Sequence, residues 1–267
     1  MTTELNLSIE EISRIVAFLG YGNPSAPVWF VGIEEGLGNM NSAETLKNLK
    51  ARGRFESTMD LRDAHLLLEE GGQPIEIQNK RNFTPVWEYM SKIMLARSGK
   101  SKSEWQNLEA VRQHVRHKLG RANGETFLTE LSPIPSKKAS DKTWMALFKS
   151  LDPELCTKIK DRQKALKVLL GKQTKLVICY GKRPDEFANL FDIKWHEIAL
   201  DVFQANDPRF LLLPFFGVGN ISHSLIGTLA QTGHLSRGWM PDSSKQAGPT
   251  VKMTTLTSFF LTPNCAR

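Results

Sequence analysis

Cysteine is scarce in this chain. Cys156, Cys179 and Cys265 are the only three in 267 residues, too few and too scattered for a disulfide framework or a zinc cage. Long hydrophobic runs are missing as well, and no apolar stretch approaches the length of a membrane span. The six histidines lack ligand spacing: His114 and His117 stand three apart on a basic helix, where a solvated face explains them. The opening residues, Met1-Thr2-Thr3-Glu4-Leu5-Asn6, do not run from basic to apolar to small, so no secretory signal is read and a cytoplasmic protein is expected. Internal repeats, low-complexity tracts and linkers are absent too. These absences leave a single domain over residues 1–267, and no metal or organic cofactor is expected.

What is present suits a globular core: 40% hydrophobic and 24% charged residues. The net charge of +7 and a pI near 9.3 suit an anionic partner, of which nucleic acid is the commonest.

The chain is organised around Val28-Trp29-Phe30-Val31-Gly32-Ile33-Glu34-Glu35-Gly36-Leu37-Gly38. The dense apolar run reads as a parallel strand buried on both faces. It stops on Gly32, and two carboxylates follow between glycines. Ligands sit at the carboxyl ends of such strands, and Gly32 and Gly36 let a substrate approach the backbone closely. A plain turn with solvated glutamates is the bland alternative.

Ser8 and Glu11 form a capping box on an amphipathic helix that runs to Gly20. Residues 39–81 are long for a strand-to-helix connection and read as a lid or binding insertion, with helical pieces at Ala43–Lys50 and Met59–Glu70. Pro85 opens a helix reaching about Arg97. Gly99-Lys100-Ser101 follows that helix, and Leu95 stands where a phosphate loop needs glycine, which excludes a nucleoside-triphosphate site. Thr126–Leu131 is the second strand, ended by Ser132-Pro133-Ile134-Pro135. Helices follow from about Lys142 to Leu151 and from Pro153 to Leu170. Leu176–Cys179 is the third strand and Phe210–Leu213 the fourth, with a helix from Ser222 to Gln231 and a turn-rich segment from about 233. Four apolar strands alternating with helices predict an α/β fold, a three-layer α/β/α sandwich with a central four-stranded parallel sheet.

The strands close on Gly32-Ile33-Glu34-Glu35-Gly36, Thr129-Glu130-Leu131-Ser132-Pro133, Tyr180-Gly181-Lys182 and Pro214-Phe215-Phe216-Gly217. In this order the motifs resemble those of the uracil-DNA glycosylase superfamily, nearest its single-strand-selective and mismatch-type branches. Those proteins end their first strand in Gly-x-x-Pro-Gly, their second in an Asn and their fourth in a His-Pro-Ser loop. The likeness spans roughly residues 25–232. Dinucleotide binding competes poorly, because Gly32, Gly36 and Gly38 do not make Gly-x-Gly-x-x-Gly.

The departures are specific. The family's catalytic Asn or Asp position falls on Glu34, its Pro on Glu35 and its base-reading Asn on Glu130. Its histidine is missing near Phe215-Phe216-Gly217, and His223 reads as structural. The resemblance implies a monofunctional DNA glycosylase that flips out a base. Glu34 and Glu35 are its candidate catalytic residues, with Glu34 the better placed and Glu35 directed away, exposed or capping backbone. Cleaving an N-glycosidic bond passes through a sugar with oxocarbenium character, which a carboxylate stabilises while it orients water.

The candidate base-binding residues are Glu130, Phe83, Phe215, Phe216, Gly32 and Gly36, with core packing the alternative for the aromatics. DNA contact falls to Lys137, Lys138, Lys182, Arg183, Arg237 and Asn220, each of which also fits a solvated surface. An ionised Glu130 would accept from the exocyclic amine of cytosine and oppose uracil O4, so a cytosine derivative is expected, including the hypermodified cytosine of phage DNA in a defence role. A protonated Glu130 would instead donate to O4, so the argument favours cytosine without excluding uracil. Glu130 capping the Ser132-Pro133 turn or pairing with a nearby lysine is the alternative. Two rival functions remain, a non-catalytic nucleic-acid binder on this fold and a small-molecule hydrolase.

Overall fold

In the computed structural model, residues 7–37, 40–70, 83–136, 143–171, 173–181, 183–217 and 220–235 are described. Ser8 and Glu11 close the expected capping box on α1 (Ile9–Ala17), with Glu11 N to Ser8 Oγ at 3.1 Å and Ser8 N to Glu11 Oε2 at 2.7 Å. The helix stops three residues short of Gly20, because Gly20–Gly22 is drawn into the sheet as β1. In order follow β2 (Val28–Gly36), α2 (Ser42–Arg52), β3 (Thr58–Met59), α3 (Leu61–Glu70), α4 (Pro85–Arg97), α5 (Lys102–Gln106) and α6 (Leu108–His117). The second half gives β4 (Thr126–Ser136), α7 (Thr143–Leu151), α8 (Leu155–Leu169), β5 (Leu176–Tyr180), α9 (Pro184–Phe191), β6 (Trp195–Ala199), β7 (Val202–Ala205), β8 (Phe210–Leu213) and α10 (His223–Gln231).

The fold is α/β, but the sheet is not four-stranded and parallel. Among the described residues it has eight strands in the order β3-β1-β4-β2-β5-β8-β7-β6 and is mixed. The expected strands β4, β2, β5 and β8 are its parallel middle. On one edge β1 runs antiparallel to β4, and on the other β7 runs antiparallel to β8 and β6 to β7. The edge strands escape a hydrophobic reading for a physical reason. β1 is Gly-Tyr-Gly, β3 has two residues, and β6 is largely exposed, so none presents an apolar run.

Helices cover both faces. Val28 and Phe30 pack with Met90, Ile93 and Met94 of α4 and Ile226 and Leu229 of α10. Trp29 and Val31 pack oppositely with Leu166 of α8 and Phe187 and Phe191 of α9. That two-sided burial is why β2 reads as a continuous apolar run rather than an alternating one. β4 runs past its expected end at Leu131, to Ser136, through Pro133 and Pro135. Those prolines cost no ladder bond on the far side, because β1 pairs β4 only at Phe127 and Leu128. Between Glu34 and Gly36 the register against β4 shifts, so the two carboxylates of β2 sit at an irregularity rather than in a regular ladder.

Candidate functional site

A cavity of about 600 Å³ opens at the carboxyl ends of β2, β4 and β5, the position expected for a ligand in a sheet of this kind. β2 lends it Ile33 to Gly36, β4 lends Glu130 and Ser132, β5 leads into it through Tyr180 and Gly181, and Phe215 to Gly217 close it beyond β8. Thr84 to Trp87 and Met90 form a mainly apolar wall from the start of α4. α2 and α8 each insert one arginine, Arg52 and Arg162.

The floor is a row of three residues across neighbouring strands. Glu130 pairs in register with Gly32, and Tyr180 follows the Cys179–Val31 pair on the other side. Tyr180 Oη donates to Glu130 Oε1 at 2.7 Å, across the space left by the missing side chain of Gly32. Glu130 Oε2 is out of contact with solvent and has no hydrogen-bond partner among the described residues. Burial pushes the Glu130 carboxyl up to about 8, against the Tyr180 hydrogen bond and with help from the nearby Glu35 and Glu34 carboxylates. Burial, with the neighbouring Glu130, likewise holds the Tyr180 phenol well above its ordinary value. Burial thus favours the neutral acid at Glu130 over the ionised acceptor considered from the sequence. Tyr180 is fixed from behind by Phe216, whose ring stacks on it at 4.5 Å and 10°.

Glu35 belongs to a second network. Its Oε1 accepts from Arg52 Nη2 at 2.5 Å, and Tyr21 Oη donates to its Oε2 at 3.4 Å. Arg52 also donates to Asn48 Oδ1 and Tyr21 Oη. Burial works against the Arg52 charge, yet the Glu35 carboxylate and Tyr21 hold the guanidinium above its ordinary value. Glu35 is thus neither a backbone cap nor directed away from the cavity; it lines it as the partner of a buried arginine. Glu34 differs. Its carboxylate forms no hydrogen bond or ion pair among the described residues, and it lines the same cavity.

Arg162 gives the floor its positive charge, but its donors are spent on backbone carbonyls and on Thr129 Oγ1. It reaches Phe18 O at 2.6 Å, Leu131 O at 3.2 Å and Leu19 O at 3.4 Å. Burial lowers it to about 10, partly offset by Glu130.

Of the residues singled out from the sequence, Glu34, Glu35, Gly36, Glu130, Arg183, Phe215 and Phe216 line the cavity, and Gly32 lies beneath the Glu130 carboxyl. Phe215 is 45% exposed at its rim, whereas Phe216 is fully buried and acts as support. Phe83 is buried away from the cavity, beneath the Arg116 guanidinium at 5.6 Å, so it is packing rather than a base contact. Arg183 is paired with Glu186 at 2.7 Å. Asn220 is exposed outside the lining, its N–H donating to Gly217 O. Lys137, Lys138, Lys182 and Arg237 lie outside the described residues, as do residues 39 and 71–81 of the insertion and the C-terminal segment beyond 235. His223 is the first residue of α10, and His114 is not on a solvated face but half-buried, Nδ1 3.0 Å from Ser91 Oγ.

The sequence reading missed Arg52, Arg162, Tyr180, Tyr21 and Trp87. Arg162 sits in a helix that also carries Lys158, Lys160, Lys164 and Lys167, where one buried cation looks like its solvated neighbours. Among the described residues no group of three His, Cys, Asp or Glu is placed to hold a metal ion, and no helix is long and apolar enough to cross a membrane. No protein-family model, curated protein or solved structure matches the chain.

Proposed function

We propose that the protein is a monofunctional DNA glycosylase, which extracts a modified base, a cytosine derivative, from the stack and hydrolyses its N-glycosidic bond. The observation that carries this reading is Glu34: a carboxylate free of partners among the described residues, at the end of a buried parallel strand, lining a cavity large enough for an extruded base with a substituent. The resemblance of the four strand-end motifs to the uracil-DNA glycosylase superfamily supports it, and the four strands that bear them are neighbours in the sheet.

In this reading Glu34 stabilises the cationic sugar as the bond to the base lengthens and orients the water that adds to the anomeric carbon. The water gives up a proton, the base leaves with the bonding electrons and gains one, and an abasic site remains. Glu35 cannot share the task while its charge is held by Arg52. Phe215, exposed at the rim, offers a ring face to a base passing into the cavity. The net charge of +7 supplies attraction for the phosphate backbone. The room beyond a plain pyrimidine suits a bulky modified cytosine, as phage DNA carries, and a defence role follows from that.

The test is abasic-site formation on duplex and single-stranded DNAs carrying cytosine, 5-hydroxymethylcytosine, glucosylated 5-hydroxymethylcytosine or uracil. Excision of a cytosine derivative that falls at least about a hundredfold in Glu34→Gln supports the proposal. DNA binding with no abasic product on any substrate points to a non-catalytic binder. No DNA binding at low salt leaves the small-molecule hydrolase.

A further inference from the structure

Three basic side chains converge beside the cavity, where α4, α5 and α10 meet. Lys92 Nζ of α4 stands 3.4 Å from Nε2 of His223, the first residue of α10. The same ammonium lies 4.8 Å from the centre of the Tyr89 ring. The exposed His223 ring packs edge-on against the buried Trp105 of α5 at 5.8 Å. Lys102, exposed at the start of α5, adds its charge on the His223 side. A lysine left to itself keeps its charged head in water; Lys92 is instead half-buried and held between two rings.

The cluster lacks a bonded counter-charge. Neither Lys92 nor Lys102 forms an ion pair among the described residues. Glu88, one turn earlier on α4, favours the Lys92 charge from a distance but forms no ion pair with it. Glu104 of α5 is held by Ser101 and Lys100. The first turn of α10 carries no acid, and its Ser222 and Ser224 hydroxyls bond each other. Burial lowers the Lys92 ammonium from its ordinary value, and burial with the two lysine charges lowers the His223 imidazole. An anion seated among these groups would relieve their mutual repulsion.

Tyr89 ties the cluster to the cavity. Its ring lies 6.4 Å from that of Phe216, which stacks on Tyr180 of the cavity floor. One ring therefore separates Lys92 from the wall formed by Phe215 to Gly217, and α4 itself lines the cavity with Trp87 and Met90. We infer that Lys92, Lys102 and His223 hold a backbone phosphate of the nucleic-acid strand whose base enters the cavity. Phosphates follow one another at about 3.4 Å of rise along a strand, so one that flanks the extruded nucleotide is within reach of a cation this close to the wall. The inference rests on the glycosylase reading for the choice of polymer. It adds a grip that the residues singled out from the sequence do not supply, and it turns His223 from a structural residue into a contact. A phosphate beside the imidazole favours its charged form, so His223 takes up a proton as the strand binds.

The experiment is binding of the full chain to a fluorescein-labelled oligonucleotide of mixed sequence, single-stranded and duplex, read by anisotropy across a salt series. Lys92→Gln should weaken binding at least about threefold at low salt and flatten the logarithmic salt slope by about 0.7–0.9. Lys92→Arg keeps the charge and should keep the slope. Lys167→Gln removes the same charge from the exposed side of α8, across the sheet, and should leave the slope unchanged. The His223 imidazole, followed by proton NMR, should titrate at higher pH with the oligonucleotide bound than without it. Inorganic phosphate at the same phosphate concentration should not reproduce that shift. Equal losses in Lys92→Gln and Lys167→Gln, a His223 titration that the oligonucleotide does not move, a shift reproduced by inorganic phosphate alone, or no binding at low salt each overturns the inference. Binding needs no excision, so a protein that passes here but makes no abasic site refutes the glycosylase reading alone. Excision with neither the salt-slope nor the His223 signature refutes only the phosphate contact.

Discussion

The Glu130 carboxyl occupies the space that a side chain on Gly32 would need. A methyl group at Gly32 would overlap the Glu130 carboxyl and stand 2.6 Å from Tyr180 Oη. Gly32 is therefore a requirement of the pair above it rather than of an unusual backbone angle. Gly32→Ala should destabilise by about 1–3 kcal/mol, the scale of overpacking. Removing the obstruction with Glu130→Ala should recover part of that loss. A urea-denaturation double-mutant cycle should give a coupling of at least about 1 kcal/mol. Additivity within about 0.5 kcal/mol would show that the two sites do not share that space.

Arg52 is 5% exposed and Glu35 is 41% exposed, yet the buried member depends on the exposed one. Glu35→Ala leaves the Arg52 guanidinium with Asn48 and Tyr21 and no counter-charge. The expected loss is about 1–3 kcal/mol, the cost of an under-satisfied buried polar group. Salt should change it little, because the surviving charge is shielded from solvent. Denaturation at low and high salt checks this; a loss below about 0.5 kcal/mol, typical of surface changes, would mean that water replaces the carboxylate.

The parts of this protein that were legible in its sequence are those where local pattern and burial coincide. The four apolar strands, the capping box at Ser8 and Glu11, and the strand-end glutamates could be located because their residue types change sharply along the chain. Partnership could not be read in the same way. Glu35 and Arg52 are 17 residues apart and Tyr180 and Glu130 are 50 apart, so which carboxylate is held and which is free depends on the sheet order. The same applies to charge state: an isolated Glu130 is a carboxylate, and it is burial, with two other acids nearby, that pushes it toward the neutral form against the Tyr180 hydrogen bond.

His114 is a further case of context overriding residue type. Burial against α4, with the Lys118 charge, pushes its imidazole down to about 4. The unfolded chain takes up a proton at the ordinary value near 6.5, and the folded protein does not until about 4. This contribution to stability is therefore present above pH 6.5 and is lost as pH falls toward 4, amounting to at most about 3 kcal/mol. Urea midpoints for His114→Asn between pH 7 and 4.5 should fall less steeply than those of the wild type. Parallel curves would place the ring in contact with water.

Glu130 should give the opposite dependence. Its ordinary value is 4.5 and burial raises it to about 8. Below pH 4.5 both folded and unfolded chains hold the proton, and the residue contributes no pH dependence. Between 4.5 and 8 the unfolded chain releases its proton while the folded chain keeps it. The folded state then binds more protons, so stability declines as pH rises through that window and levels off above it. The decline should be of order 2–4 kcal/mol, since water reaches part of the residue. Glu130→Gln keeps the shape and the Tyr180 contact but cannot ionise in either state. Its stability relative to wild type should therefore rise steadily from pH 5 to pH 8.5, as measured by urea denaturation at matched ionic strength. A constant difference across that range would mean that Glu130 is ionised in the folded protein at neutral pH.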